Sequence, residues 1–357
     1  MVGMERLDAI IAGGGPAGLY MARLLDDSGL NIAVLEEHKG IGKPNHCSGL
    51  ISKNLDRLMR LDPEWIEHKV SGAVISSCSC SLKIRKPGTA AYIIDRSRFD
   101  ASLAEGLCCI RLGTRVEGVR WREGVSGHLQ ARNGEEGVLV KTNKSVYKAN
   151  VLIGCDGANS IVARSFGSRP KKLLMGVIGI TAEEDYSKDV QIIIDKKAAP
   201  DGFFWKIPRG RTTEYGMFAG KADFMELGAF FGKRFRERRA GLIPLGPSKT
   251  YFERTLLVGD AAGMSKPWSG GGVIWGLTAA RIAANTVIRA FEKDDFSEGF
   301  LSQYERGWKK VFGRQVQAGM LGRKVFEKMD GPEIGLTLKM LELLRPAINR
   351  MDMDFLA

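Results

Sequence analysis

The chain has no hydrophobic run long enough to cross a membrane. A transmembrane helix needs about 20 consecutive apolar residues, and the 357-residue sequence contains no such run. The apolar stretch that begins at Ala9 follows Glu5 and Arg6 and breaks into glycines, which is not the pattern of a secretory signal. With 44% hydrophobic and 26% charged residues, the composition predicts a soluble globular protein of the cytoplasm.

Cysteine pairs with metal-ligand spacing are absent as well. The sequence contains no C-x-x-C pair, the spacing of common zinc and iron–sulfur sites, so we expect no metal. In a large chain without a secretory signal, cysteines are expected to be free thiols. Only Cys47 lies beside a motif that suggests chemistry. The six cysteines are Cys47, Cys78, Cys80, Cys108, Cys109 and Cys155.

Acidic residues are fewer than basic ones. The chain has 53 Lys and Arg against 41 Asp and Glu, a net charge of +12. This excess favours anionic partners such as phospholipid head groups, phosphorylated substrates or nucleic acid. Because no nucleic-acid module is recognisable, we expect no nucleic-acid partner. The basic residues are spread along the chain, so a solvated basic surface is an equally good interpretation.

The N-terminal region has the alternation of a βαβ unit. Residues 8–12 (DAIIA) form a short apolar run, residues 16–25 carry apolar side chains at helical spacing, and residues 31–35 (NIAVL) form a second β-like run. Pro16 and Ala17 begin the helix and are predicted to lie at a cofactor. This order is typical of the opening unit of a dinucleotide-binding fold.

The turn of this unit carries the fingerprint G-x-G-x-x-G. Gly13 permits a tight turn, Gly15 lets the backbone approach a pyrophosphate, and Gly18 allows close packing of helix on strand. The helix N-terminus supplies amide donors and a positive dipole. Glu36 ends the second run, where its carboxylate can accept from ribose hydroxyls. Glu37 is included in the predicted cofactor site, although a charged residue at this position is also explained by simple exposure to solvent.

Two later segments place an aspartate and a glycine directly after a buried-strand run. They are Asp156-Gly157 after VLIGC and Gly259-Asp260 after TLLV. An aspartate at a strand end beside small residues can reach ribitol or ribose hydroxyls. Each segment alone is equally consistent with an ordinary turn. By themselves these residues leave NAD and FAD open.

In this order and spacing, the segments resemble the FAD fold of the aromatic-hydroxylase-like flavoproteins. The resemblance implies that Asp156 belongs to the DG element and that Asp260 binds the flavin ribitol. Residues 94–100 (IDRSRFD) resemble a further element that places Arg96 near the cofactor; a surface ion pair is the alternative. Residues 267–272 (PWSGGG) resemble the segment at the flavin's pyrimidine edge, where a helix N-terminus favours an anionic reduced flavin. Its predicted contacts are Pro267, Gly270, Gly271 and Gly272.

Residues 43–50 (KPNHCSGL) contain the motif P-x-x-C-x-G. It resembles an element of the geranylgeranyl reductases, FAD enzymes that saturate isoprenoid double bonds. The resemblance implies that Cys47 and Gly49 line the flavin face, and that Cys47, His46 or a water supplies a proton to the alkene. Packing of Cys47 beneath the flavin as a compact apolar side chain is the alternative.

Residues 203–208 (FFWKIP), followed by Gly216, resemble a second element of these reductases, with Ile207 in place of an aromatic residue and Phe218 where a second glycine falls. The resemblance implies a wall for an apolar chain. Strand alternation puts Phe203 and Trp205 on one face, although both are also plausible core aromatics. The predicted substrate contacts are Phe203, Trp205, Ile207, Pro208 and Gly216.

The predicted fold class is α/β. It comprises a Rossmann-like FAD-binding domain with discontinuous segments, a mainly antiparallel β-sheet substrate domain and a C-terminal helical region. The predicted ranges are 1–75, 90–165 and 245–295 for the first domain, 76–89 and 166–244 for the second, and 296–357 for the helices.

The resemblance implies an FAD-dependent reductase that saturates C=C bonds of geranylgeranyl chains, in precursors of archaeal-type ether lipids, by hydride transfer from flavin N5 and protonation of the alkene. An unidentified donor, which is a nicotinamide, a ferredoxin or a flavoprotein, supplies the electrons. One alternative is an FAD-dependent monooxygenase or halogenase with an aromatic substrate, because FFWKIP is close to the halogenases' W-x-W-x-I-P. A non-catalytic flavin or lipid carrier is another.

A lipid substrate also bears on where the protein works. The positive net charge suits an anionic head group or membrane. Residues 334–344 have the amphipathic pattern of a helix that either lies on a bilayer or packs against the protein. We therefore expect a cytoplasmic protein with peripheral access to the inner face of the cell membrane.

Overall fold

A computed structural model of the chain describes residues 4–77, 80–120, 137–352 and 354. Cys78 and the predicted domain segments at 1–3, 121–136 and 355–357 lie outside the described residues. The strands are β1 (Glu5–Ala12), β2 (Ile32–Leu35), β3 (Leu50–Ser52), β4 (Ile66–Val70), β5 (Gly72–Ser77), β6 (Cys80–Arg85), β7 (Ala91–Ile94), β8 (Ile110–Arg111), β9 (Val116–Arg120), β10 (Val138–Thr142), β11 (Val146–Gly154), β12 (Lys172–Thr181), β13 (Asp189–Ile193), β14 (Phe203–Pro208), β15 (Thr213–Ala219), β16 (Glu237–Leu245), β17 (Tyr251–Phe252) and β18 (Thr255–Leu257).

The helices lie between these strands and after the last of them. They are α1 (Pro16–Asp26), α2 (Arg96–Ala104), α3 (Ile161–Ser165), α4 (Phe224–Phe231), α5 (Val273–Lys293), α6 (Glu298–Trp308), α7 (Arg314–Lys328), α8 (Gly331–Leu343) and α9 (Arg345–Ile348). A π-helical turn, Lys309–Gly313, joins α6 to α7.

A largely parallel sheet, named here the nucleotide sheet, contains the N-terminal βαβ unit. Its strand order in the described part of the chain is β8-β2-β1-β11-β18-β17, with β10 and β9 continuing from β11. β1 runs parallel to both β11 and β2. Its last four residues are buried, as expected for a strand covered on both faces. The predicted Rossmann-like unit, built from segments far apart in the sequence, is confirmed.

A second sheet has the order β16-β12-β15-β14-β13-β5-β6. Its pairings are antiparallel except for β13 with β5, so the predicted mainly antiparallel layer is confirmed. The sheet begins at Gly72, inside the segment 1–75 that was predicted to belong to the nucleotide domain. A small antiparallel sheet, β3-β7-β4, carries the chain from one large sheet to the other.

The C-terminal helices pack on both sheets. Tyr304 of α6 is buried and donates from its hydroxyl to the Leu257 carbonyl at 2.7 Å. Ile334 and Leu338 of α8 pack with Leu82 of β6 in an apolar cluster. The predicted helical region is therefore confirmed. Within the described ranges, no helix combines the length and the apolar character needed to cross a membrane.

Candidate functional site

The glycine loop between β1 and α1 is shaped by backbone contacts. Gly13 has a φ of +100°, and a Cβ there would lie less than 3.0 Å from the backbone of Cys155. A Cβ on Gly18 would also lie less than 3.0 Å from the Gly13 carbonyl oxygen. At Gly15, by contrast, nothing lies within 4 Å of the Cβ position. Two glycines are thus needed by the fold, and the middle one leaves room for another molecule.

Glu36 is tied to this loop. Its side chain is buried, and one carboxylate oxygen accepts from the Gly14 amide at 2.7 Å. The other accepts from the His38 amide at 2.8 Å and lies 2.6 Å from the His38 ring Nδ1. The exposed Glu37 points to solvent. Glu36 therefore orients the loop, and its predicted contact with a ribose would share these oxygens.

Asp156 caps the neighbouring helix α3. One carboxylate oxygen accepts from the Ser160 hydroxyl at 2.5 Å, and the other accepts from the amides of Ile161 at 2.7 Å and Val162 at 3.1 Å. Gly157 follows with a φ of +73°, which favours glycine. Burial raises the pKa of Asp156, while these hydrogen bonds oppose the shift. The DG element thus builds the turn beside the glycine loop; its contact with a cofactor stays a prediction.

Asp260 lies at the start of the turn after β18. Its carboxylate accepts from the Ser265 hydroxyl at 3.0 Å. The side chain is exposed to solvent, and desolvation by the surrounding protein raises its pKa, while the Ser265 hydroxyl and the charge of Arg96 oppose the shift. Gly259 lies against Ala17 and Gly276, where α1 and α5 approach each other. The predicted GD element is therefore placed next to the first turn of α1.

The glycine-rich segment 267–272 lies between Asp260 and the second sheet. A Cβ on Gly272 would lie 3.0 Å from an Asp260 carboxylate oxygen. A Cβ on Gly270 would lie 3.2 Å from Ile243 and 3.5 Å from Phe218. The segment therefore joins the predicted cofactor residues to the predicted substrate wall.

Helix α7 supports this segment from the other side. Pro267 is buried and packs against Gly319, and its carbonyl accepts from Arg323 at 3.0 Å. Trp268 covers Gly322 but keeps 47% of its surface exposed.

Arg96 forms an ion pair, as the alternative interpretation expected, but the pair is buried and not at the surface. Its guanidinium donates to both carboxylate oxygens of Asp100 at 3.0 Å. Burial lowers the pKa of Arg96, but Asp100 and the Cys47 side chain raise it by more through charge and hydrogen bonding. The charge of Arg96 also acts on Asp260. A fixed positive charge therefore lies among the Cys47 loop, Asp100 and Asp260.

The loop 43–49 bends around Cys47. The Gly49 amide donates to the Cys47 sulfur at 3.4 Å, and Gly49 has a φ of +70°, where a Cβ would clash with the Ile94 carbonyl. Cys47 is half-buried, whereas His46 is exposed and touches Gly241 of β16. The loop thus lies between the small sheet and the second sheet.

Phe203 and Trp205 lie on one face of β14, with ring centroids 6.1 Å apart. Phe203 also meets Phe218 edge to face at 5.4 Å. Gly216 makes room for the indole, because a Cβ there would clash with the Trp205 ring. Both rings are only partly buried and cover an apolar cluster, so they line a surface. The remaining predicted residues of this strand, Ile207 and Pro208, are buried.

Sequence reasoning missed a buried ion pair behind the glycine-rich segment. Lys266 donates to Asp354 at 2.7 Å, and the same carboxylate accepts from Asn54 at 2.8 Å and from Ser52. Gly271 packs on the Lys266 side chain. These partners are up to 302 residues apart in the sequence, so no local pattern indicates them.

These residues fit a dinucleotide that carries a flavin. Helices α1 and α5 both begin after a glycine, Gly15 and Gly272, and neither has a side-chain cap among the described residues. Their first amides are therefore available to an anionic group. Arg96 adds positive charge, and Asp260 offers an acceptor to hydroxyls. Together these groups could bind a phosphate-rich cofactor that extends from the first turn of α1 to the first turn of α5.

Comparison with known proteins supports this interpretation. Residues 11–48 match the family model described as an NAD(P)-binding Rossmann-like domain. Digeranylgeranylglycerophospholipid reductase 1 of Methanococcoides burtonii is 27% identical over 384 residues, which cover 99% of this chain and 91% of that protein. An uncharacterized protein of Methanocaldococcus jannaschii is 28% identical over 346 residues, which cover 90% and 84%. The resemblance to the geranylgeranyl reductases is confirmed.

Solved structures share the fold. A geranylgeranyl bacteriochlorophyll reductase-like protein from Thermoplasma acidophilum superposes with a TM-score of 0.82 at 20% identity, covering 99% of this chain and 94% of that one. A p-nitrophenol 4-monooxygenase from Pseudomonas putida gives a TM-score of 0.74 at 16% identity, covering 97% of each chain. A flavin-dependent halogenase gives 0.64 at 14% identity, covering 97% of this chain and 78% of that one. At such identities the likeness concerns the fold alone.

Proposed function

We propose that this chain, a homologue of the geranylgeranyl reductases, is an FAD-dependent enzyme that saturates C=C bonds of geranylgeranyl chains in precursors of archaeal-type ether lipids. One observation carries the proposal. The aromatic face of Phe203 and Trp205 adjoins the glycine-rich segment at Gly270, through Phe218. An apolar chain on this face would therefore lie beside the glycine-rich segment, at the opposite end of the predicted cofactor site from Gly15.

When bound, reduced FAD supplies hydride to one carbon of the alkene. The residues of the chain exclude water, orient the substrate and supply the proton. The partly buried rings of Phe203 and Trp205 exclude water and hold the isoprenoid in place. Cys47 is favoured over His46 as the source of the proton for the second carbon, because Cys47 is half-buried beside Arg96 whereas His46 is exposed. The two electrons come from a redox partner that is a nicotinamide, a ferredoxin or a flavoprotein.

Spectrophotometry of the protein reconstituted with FAD and reduced with dithionite tests this function. In the absence of oxygen, addition of a geranylgeranyl glycerophospholipid is expected to restore the absorbance of oxidised flavin. Trp205→Ala is expected to slow this reoxidation while retaining FAD, since Trp205 belongs to the wall. Reoxidation that requires oxygen and an aromatic substrate would instead assign the protein to the monooxygenases or halogenases. Reduced flavin that the lipid does not reoxidise, in a protein whose bound FAD no physiological donor reduces, would indicate a carrier.

We also propose peripheral contact with an anionic bilayer through the outer face of α8. The inner face packs on β6, and the outer face exposes Leu336, Met340 and Leu343, which is 82% exposed. Spacing of four and three residues puts these side chains on one stripe. Exposed Lys339 adds a charge that attracts acidic head groups, and a lipid substrate has to be drawn from a membrane.

Replacing Met340 and Leu343 together by glutamate is expected to weaken binding to phosphatidylcholine–phosphatidylglycerol vesicles several-fold, because two carboxylates would oppose insertion and repel the head groups. Co-sedimentation with the vesicles measures this. Met225→Glu is the matched control, since Met225 is 85% exposed on α4. Equal sedimentation of the double variant and the control would disprove docking through α8.

A further inference from the structure

Glu214 is a carboxylate fully enclosed by the second sheet. It lies on β15 with no exposed surface. One carboxylate oxygen accepts from the indole Nε1 of Trp205 at 2.9 Å, and the other accepts from Nη1 of Arg209 at 2.8 Å. One oxygen of Glu214 thus accepts from the predicted substrate wall, and the other accepts from a buried cation.

Arg209 extends this connection to the Cys47 loop. Its side chain is 4% exposed, and Nη1 also donates to the Ser48 carbonyl at 2.5 Å. Nη2 pairs with Glu67 of β4 at 2.5 Å. Through Glu214 and Arg209, the indole of Trp205 is therefore linked to the residue that follows Cys47. This connection spans 161 residues of sequence between Ser48 and Arg209.

The charges of this network are balanced inside the protein. Burial raises the pKa of Glu214, and Arg209 and the Trp205 hydrogen bond counteract the shift. Burial alone would lower the pKa of Arg209, but Glu214 and Glu67 raise it overall. Burying such a pair gains little stability over apolar residues of the same size, because desolvation offsets the attraction. What the pair does supply is fixed geometry, since all three acceptors of the guanidinium fork, Glu214, Ser48 and Glu67, are specified.

The indole has little freedom in this arrangement. Gly216 lies directly beneath the Trp205 ring, and Glu214 holds the ring nitrogen. Without the carboxylate, the ring nitrogen would lose its hydrogen bond to Glu214, and the indole could turn about its side-chain torsions. The position of the wall relative to the Cys47 loop thus depends on Glu214 and Arg209.

We propose that Glu214 and Arg209 are positioning residues that hold the Trp205 wall and the Cys47 loop in one arrangement and so select which double bond of an isoprenoid chain is presented for reduction. This inference rests on the proposed function. The two residues act through Trp205 and Ser48 and need no contact with the reacting carbons.

Glu214→Gln and Arg209→Lys test this role by steady-state kinetics and mass spectrometry of the lipid products. Glutamine keeps the size but has a single acceptor oxygen, which can serve Trp205 or Arg209 but not both, and lysine lacks the planar fork that reaches Glu214, Ser48 and Glu67. We expect the KM for the lipid to rise about tenfold, as for one lost hydrogen bond to a charged group, with kcat falling less. The products should contain a wider spread of partly reduced chains. FAD content should stay unchanged.

Glu183→Gln is the matched control. Glu183 accepts from the hydroxyl of Tyr215, the next residue of β15, at 2.8 Å, and is 47% exposed with Lys233 as its partner. It contacts neither Trp205 nor the Cys47 loop. This variant should keep the KM and product pattern of the unaltered protein. Glu214→Gln with an equally unaltered KM and product pattern would overturn the proposal.

A readout independent of turnover separates this inference from the proposed function. The fluorescence of Trp205, taken as the difference between the unaltered protein and Trp205→Phe, should shift in Glu214→Gln and not in Glu183→Gln. If the unaltered protein reduces no isoprenoid lipid, the proposed function fails, and this shift alone then decides whether Glu214 positions the indole. An unshifted emission would overturn the positioning role.

Discussion

Gly18→Ala is expected to abolish FAD binding. The added methyl would lie less than 3.0 Å from the carbonyl oxygen of Gly13 and 3.3 Å from the Cys155 side chain. Because the nearest atom belongs to the backbone, α1 would have to move away from β1. Such overpacking costs typically about 1–3 kcal/mol, and it displaces the amides that would bind the pyrophosphate. Titration of the apoprotein with FAD, followed by flavin fluorescence, measures the loss.

Gly15→Ala separates the binding role from the folding role. No atom lies within 4 Å of its Cβ position, so the thermal stability of the apoprotein should change little while FAD affinity falls. Gly18→Ala should lower both. Normal FAD affinity in both variants would contradict the placement of the pyrophosphate at this loop.

Asp354→Ala is expected to cause the second large effect, a loss of about 3–5 kcal/mol of folding stability. Asp354 is 2% exposed, and its carboxylate pairs with Lys266 and accepts a hydrogen bond from Asn54. Its removal leaves the ammonium of Lys266 without its partner beneath Gly271. Urea denaturation of the apoprotein measures the free energy of unfolding. FAD affinity should also fall, because the glycine-rich segment loses its support.

Glu237→Ala is the comparison for this variant. Glu237 pairs with Arg239 on β16 and is 52% exposed, and exposed pairs contribute only about 0.2–1 kcal/mol. An Asp354→Ala protein that loses no more stability than Glu237→Ala would show that the buried pair does not support the segment.

The parts of the fold that could be predicted from the sequence are those with local patterns. The first βαβ unit combines an apolar run, a glycine turn and a helical repeat, and each reflects steric limits within a few residues. The segments of Asp156 and Asp260 were recognisable because each follows a buried-strand run and adjoins a glycine; both glycines have positive φ in the structure. Arg96 and Cys47 lie together because Cys47 precedes β3 and Arg96 follows β7, and these strands are antiparallel neighbours with Leu50 paired to Ile93.

Contacts across the sequence could not be predicted. The carboxylate of Asp156 gave no indication that it caps α3, since a cap and a ligand contact use the same oxygens. Glu214 reads as an ordinary polar residue in a strand, and only the pairing of β14 with β15 brings it to Trp205. Residues 334–344 were recognised as amphipathic, but contact with β6 decides which face of α8 is buried.

The most direct test of the account is mass spectrometry of a geranylgeranyl glycerophospholipid after anaerobic incubation with the FAD-loaded, dithionite-reduced protein. The account predicts a gain of two hydrogen atoms for each double bond, strongly diminished in Trp205→Ala. A lipid of unchanged mass, from a protein that holds and reoxidises its flavin with another substrate, would contradict it.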